Sequence, residues 1–222
     1  MEEATCLKWL FPSSKYQIDN METPIGINQR IPMQTLELAI KAVLEDQYSN
    51  DYALELARFD YQGENRIKKA ARVINRLTRT NALMPFYIEN KEKVLKAFNS
   101  PDDRALLLIA LVNTAYPFCY DVTATLGKYF HAQKTISTPL LVNKLSAKYG
   151  TNRTLPNGLY CIMPMLIDAG FITRPTTGLY EMCKLTPLTE VARQAYTQSF
   201  MFNNPLLTDS YRAENNFYFE FV

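Results

Sequence analysis

The chain has 222 residues and a formal net charge of +2 at pH 7, long enough for one sizeable core or two small ones and too nearly neutral to announce a nucleic-acid binder by bulk charge. Its longest uninterrupted apolar run, residues 105–112, falls far short of the roughly 20 residues that cross a bilayer, so a soluble protein without membrane association is expected. Cys6, Cys119, Cys161 and Cys183 show no Cys-x-x-Cys spacing and follow no secretory leader; reduced thiols in a cytoplasm are the expectation.

Residues 1–32 mix aromatic, proline and polar residues without a helical period and read as a loosely structured arm, although Leu7, Trp9, Leu10 and Phe11 are apolar enough to dock. From Gln34 the period becomes helical, with Leu36, Ile40, Val43 and Leu44 sharing a face. Tyr52, Leu54, Leu56 and Phe59 suggest a second, shorter helix. A third places Ile67, Ala70, Ala71, Ile74 and Leu77 in an apolar stripe, so Lys68, Arg72, Arg76 and Arg79 project from the other side as a ridge. With Arg66 and Lys69, six basic residues face the single Glu64 here, whereas acidic residues outnumber basic ones about two to one over residues 1–60. Helices follow over 90–98 and 102–116, the latter with Ser100 as N-cap, Pro101 first, and Asp102 and Asp103 where the helix dipole favours them. After Pro117 the pattern resumes over 118–130.

Residues 134–187 read as helix, turn, helix and two-stranded hairpin. The first helix has Thr138 as N-cap, Pro139 at its first position, Leu141, Val142, Leu145 and Tyr149 on one face, and Gly150 as its stop. The second begins near Pro156, holds Leu159, Ile162, Met163, Leu166 and Ile167 inward, and ends at Ala169-Gly170; Pro164 within it predicts a kink. Strand-like runs over 171–174 and 179–185 flank the turn cluster Pro175-Thr176-Thr177-Gly178. Thr186 then caps a helix from Pro187 to about residue 199, and an aromatic tail over 200–222 is expected to dock. The phrase Met165-Leu166-Ile167-Asp168-Ala169-Gly170-Phe171-Ile172, followed by the hairpin, resembles the winged helix-turn-helix superfamily where its recognition helix turns into the wing. The resemblance implies a mainly α fold: a helical part over 33–131, then a winged helix-turn-helix over 132–199 with a small β-hairpin. A helical bundle carrying an incidental hairpin is the other architecture that suits the pattern, and winged domains bind protein as well as DNA.

Catalytic chemistry finds little to work with. The lone His131 removes most histidine-based triads and metal sites and reads as a helix-terminal surface residue. Neither GxxxxGK[ST] nor GxGxxG occurs among seven glycines, so no loop is built to cradle nucleotide phosphates. The pairs Asp102–Asp103 and Glu45–Asp46 are adjacent on exposed helical positions and read as dipole partners and solvated faces. No enzymatic activity, cofactor or metal is therefore expected.

Candidate DNA contacts are Arg66, Lys68, Lys69, Arg72, Arg76 and Arg79 on the ridge, Lys144 and Lys148 on the first helix of the winged segment, Arg153 and Asn157 at the start of the second, and Arg174 and Lys184 in the wing. Basic residues at helical spacing neutralise successive phosphates. The outward positions of the second helix, Asn157, Tyr160, Cys161, Pro164 and Asp168, include no arginine or lysine to read guanine, so backbone and shape would be recognised more than sequence. That same surface, apolar at Tyr160, Cys161 and Pro164, also suits a protein interface. Two functions stand open: a grip on double-stranded DNA, and a protein adaptor or assembly module.

Along its length, in the basic helix over 66–77, the apolar helix over 106–112 and the phrase over 165–172, the chain resembles the BrxA-like proteins, small helical DNA-binding components of bacterial BREX phage-defence systems. The resemblance implies a non-enzymatic cytoplasmic DNA-binding protein working beside larger defence partners; a second copy of the chain is a further candidate partner.

Overall fold

An apolar run with no polar side belongs at the centre of a fold, and that is where the helix containing residues 105–112 sits. The computed structural model describes residues 24–150, 153–207 and 216–222; the apolar stretch around Trp9 lies outside them. In chain order the elements are α1 (Met33–Leu44), α2 (Asn50–Asp60), α3 (Glu64–Leu77), α4 (Met84–Glu89), α5 (Lys91–Ala97), α6 (Pro101–Ala115), α7 (Pro117–Phe130), β1 (Thr135–Ser137), α8 (Thr138–Tyr149), α9 (Thr154–Asp168), β2 (Ile172–Thr176), β3 (Leu179–Met182), α10 (Glu190–Asn203) and a C-terminal 3-10 helix (Phe217–Phe221). The chain is mainly helical, with one small antiparallel sheet. Every α6 residue from Ala105 to Thr114 is buried, and α1, α3, α5, α7 and α10 pack around it. Buried apolar side chains from Ile25 to Phe221 form one continuous cluster.

The amphipathic helices bury the faces that their spacing dictates, with one exception. On α3, Ile67, Ala70, Ala71, Ile74 and Leu77 are all buried. On α2 the buried residues are Ala53, Leu56 and Ala57, and Phe59 is 86 % exposed. The small alanines allow α3 to pack closely against that face, and the larger aromatic is left outside.

The sheet order is β1-β3-β2. The expected hairpin is β2–β3, with Ile172 opposite Met182, and β1 adds a third strand by pairing Ile136 with Tyr180. Ladder register shifts between Thr173 and Thr176, around Pro175, which has no N–H to donate and is tolerated because β2 is an edge strand. Several boundaries differ from the sequence reading. Ser137, not Thr138, caps α8, its hydroxyl accepting from Leu140 N. Helix α9 begins at Thr154 and continues through Pro164. Thr189 rather than Thr186 precedes α10, which continues to Asn203.

Asp102 and Asp103 are clamps rather than solvated dipole partners. Asp103 is fully buried, its Oδ1 accepting from the N–H groups of Leu188 (2.9 Å) and Thr189 (3.0 Å), and Asp102 Oδ2 accepts from Thr186 N (2.7 Å). One orphan N–H of α10, that of its N-cap Thr189, and two N–H groups of the segment leading into the helix are thus satisfied from α6.

The C-terminal 3-10 helix is built into the core. Tyr218 stacks on Tyr196 with ring centroids 4.3 Å apart, its hydroxyl accepts from Asn113 Nδ2 (3.1 Å), and Leu185 N donates to Phe221 O (2.8 Å). A Cβ at position 127 of α7 would stand 1.9 Å from Phe217 O, so only glycine permits this approach. Residues 24–32, expected to belong to a loose arm, have no regular secondary structure but bury Ile25, Ile27 and Ile31. They run beside α9: a Cβ on Gly158 would meet Ile25 at 2.5 Å, and Met33 N donates to Asp168 Oδ2 (2.6 Å).

Candidate nucleic-acid interface

Arg66, Lys68, Lys69, Arg72 and Arg76 on α3, and Arg79 just beyond its end, are exposed, because burying one face of an amphipathic helix leaves the other in water. Arg66, Lys68, Lys69 and Arg72 form no ion pair among the described residues. Arg76 is held differently: its Nε donates to Ala115 O (3.1 Å) and its guanidinium lies 4.4 Å from the Tyr116 ring centroid. The arginine therefore ties α3 to the end of α6 while its outer edge faces solvent. Arg79 adjoins Tyr48, whose hydroxyl is pushed up by burial against the opposing pull of the Thr78 hydrogen bond and the Arg79 charge.

Lys69 stands at a cleft of about 660 Å³ between the start of α9 and the backbone of residues 24–28, lined also by Thr154, Asn157 and Tyr160. The basic ridge and the first half of α9 thus meet in one place. Arg153, at the N-cap of α9, is exposed. At the far end of α9 a second cleft, about 490 Å³, contains Arg30, Pro164, Asp168 and Arg174. Arg30 is a cation that sequence reasoning missed, since the residues around it have no period; the nearest signal is its isolation between the apolar Ile27 and Ile31.

Other expected contacts are drawn into the fold. Lys148 pairs with Asp121 at 2.5 Å, and the same carboxylate oxygen accepts from the Tyr149 hydroxyl. Lys144 is exposed, with its ammonium 5.9 Å from the Tyr129 ring centroid. Lys184 does not sit in the hairpin: β3 ends at Met182, and Lys184 Nζ donates to the carbonyls of Glu220 (2.9 Å) and Val222 (2.8 Å). Its partner is the C-terminal segment.

The outward face of α9 also needs correction. Tyr160 is 78 % exposed and Asn157 is exposed, but Cys161 is only 5 % exposed because residues 24–28 cover its flank. Burial pushes the Cys161 thiol up to about 11 against the pull of the Arg30 charge, so it stays protonated at neutral pH and is a poor nucleophile. His131 lies with Nδ1 3.1 Å from Glu220 Oε2 and its ring against Phe217, an exposed contact holding the C-terminal segment. Among the described residues no group of three or more His, Cys, Asp or Glu is placed to hold a metal ion, and no helix is long and apolar enough to cross a membrane.

Comparison with protein-family models, with curated proteins and with solved structures gives no match to this chain.

Proposed function

We propose that this is a non-enzymatic DNA-binding protein that grips duplex DNA mainly through its phosphate backbone. The carrying observation is the meeting of two elements: the exposed cations of α3 reach, through Lys69, the cleft at the start of α9 where Thr154 and Asn157 stand. A helix face with four cations that have no ion-pair partner among the described residues neutralises successive phosphates, and release of their counterions makes affinity fall steeply with salt. The order α7, β1, α8, α9, β2, β3, with β1 closing on β3, supports reading this part as a winged helix-turn-helix with α9 as its second helix. The outward strip of α9 offers the exposed Asn157, Tyr160 and Asp168 and the half-buried Pro164 but no arginine or lysine, so base readout is weak and the grip is largely sequence-independent. Work beside larger phage-defence proteins rests on the sequence resemblance alone.

A second reading is favoured by that same strip. Tyr160, with Pro156 and Pro164 one turn to either side, is a surface suited to a protein partner, and would make the chain an adaptor. Binding of a labelled generic duplex across a salt series decides between them. The DNA reading expects binding near 50 mM salt that weakens by orders of magnitude by about 200 mM. Absence of binding at the lower salt overturns it.

A further inference from the structure

The cleft at the start of α9 differs chemically from its neighbours. Among the described residues its lining contains one cation and no carboxylate, whereas the groove beside α1 and α6 holds Glu37, Asp102 and Asp168 and the cleft at the far end of α9 holds Asp168. Its volume of about 660 Å³ lies within the range in which small ligands are held, roughly 300–1,000 Å³. The floor is apolar, formed by the nearly buried Ile25, Ile27 and Tyr149, and the wall carries the amide of Asn157. Tyr160, which also lines the cleft, is 78 % exposed. Phe59 is just as exposed at the end of α2 but, unlike Tyr160, does not line this cleft.

These groups match the parts of a nucleotide. An exposed aromatic ring offers a stacking face to any base, an amide offers a donor and an acceptor to a base edge, and an ammonium beside them takes the phosphate. A base inside an intact duplex cannot reach such a cleft, because both its faces are stacked. We propose that the cleft takes an unpaired nucleobase, stacked on Tyr160 and hydrogen-bonded by Asn157, with Lys69 on its phosphate, so that the preferred substrate is DNA with a single-stranded end or gap beside a duplex. The duplex segment would then run along Arg66, Lys68 and Arg72. This rests on the DNA-binding reading above.

The test compares a blunt duplex with the same duplex extended by a four-nucleotide single strand bearing 2-aminopurine, at about 50 mM salt, where phosphate contacts are strong. Expected are affinity about 10-fold higher for the extended DNA, the scale of one base–aromatic stack, and quenching of the 2-aminopurine emission on binding. Tyr160→Ala, a change at an exposed position that leaves the fold intact, should reduce the extended DNA to the blunt affinity and abolish quenching, while Tyr160→Phe retains both. Equal affinity of the wild-type protein for the two DNAs, or a preference that survives Tyr160→Ala, overturns the cleft assignment while leaving the duplex grip standing. Binding of neither DNA removes both readings together.

Discussion

The α3–α9 side of the molecule and the side formed by α6, α10 and the C-terminal segment both carry cations and polar groups, but they treat them oppositely. On the second side, Lys184 donates to two main-chain carbonyls, His131 meets Glu220, and even the buried Asp103 closes a helix terminus. On the first, Arg66, Lys68, Lys69 and Arg72 face water with no ion-pair partner among the described residues. The lesson is that charge alone does not mark a binding surface: a cation already satisfied by the fold would have to give up its partner to meet a phosphate. Substitutions on the satisfied side should change stability and leave affinity alone; those on the open side should do the reverse.

The largest effect is expected in the core behind α9. Leu166 is fully buried, so Leu166→Ala should reduce unfolding free energy by about 2–5 kcal/mol in chemical denaturation; a loss under 1 kcal/mol would mean that the packing between α9 and the sheet is not as described. On the open side, the triple change Arg66→Glu, Lys68→Glu and Arg72→Glu should weaken duplex binding by about 100-fold and make the salt slope shallower by about three, with each change altering stability by less than about 0.5 kcal/mol. Unchanged affinity with a normal circular dichroism spectrum would show the ridge to be a solvated face. On the satisfied side, Gly127→Ala should force the 3-10 helix away from α7 and lower stability by about 1–3 kcal/mol, readable as a lower melting temperature. The smallest effect belongs to Lys184→Ala: a stability loss of about 1 kcal/mol with duplex affinity intact. A clear loss of affinity there would break the contrast between the two sides.

Much of the helical framework was legible because it depends on local periodicity. The α3 stripe, the apolar run of α6 over 105–112, the hairpin turn at Gly178 and the buried Leu166 and Ile172 all follow from residue spacing. Strand β1 was not legible, since three residues of Thr-Ile-Ser become a strand only when Tyr180 lies opposite. The α2 face was misread because Phe59 is hydrophobic but the neighbouring helix needs small residues there. At the candidate site, exposure of α3 could be foreseen from its amphipathicity, whereas the occupation of Lys184 and Lys148 could not: their partners lie 36 or more and 27 residues away in the chain. Covering of Cys161 by residues 24–28 is likewise a long-range event with no local signature.

That covering segment also bears on how the chain comes to be folded. Met33 meets Asp168 across 135 residues, and translation proceeds at roughly 5–20 residues per second. The segment is therefore synthesised roughly 7–27 s before the end of the helix it lies against, and in that interval only its earlier-made neighbours, among them Tyr116 beside Gly26, are there to cover it. Its docking on α9 must be a late step of assembly. Slowed synthesis through residues 34–168 would lengthen the window in which Ile25, whose place is against Gly158, is open to chaperones or to aggregation.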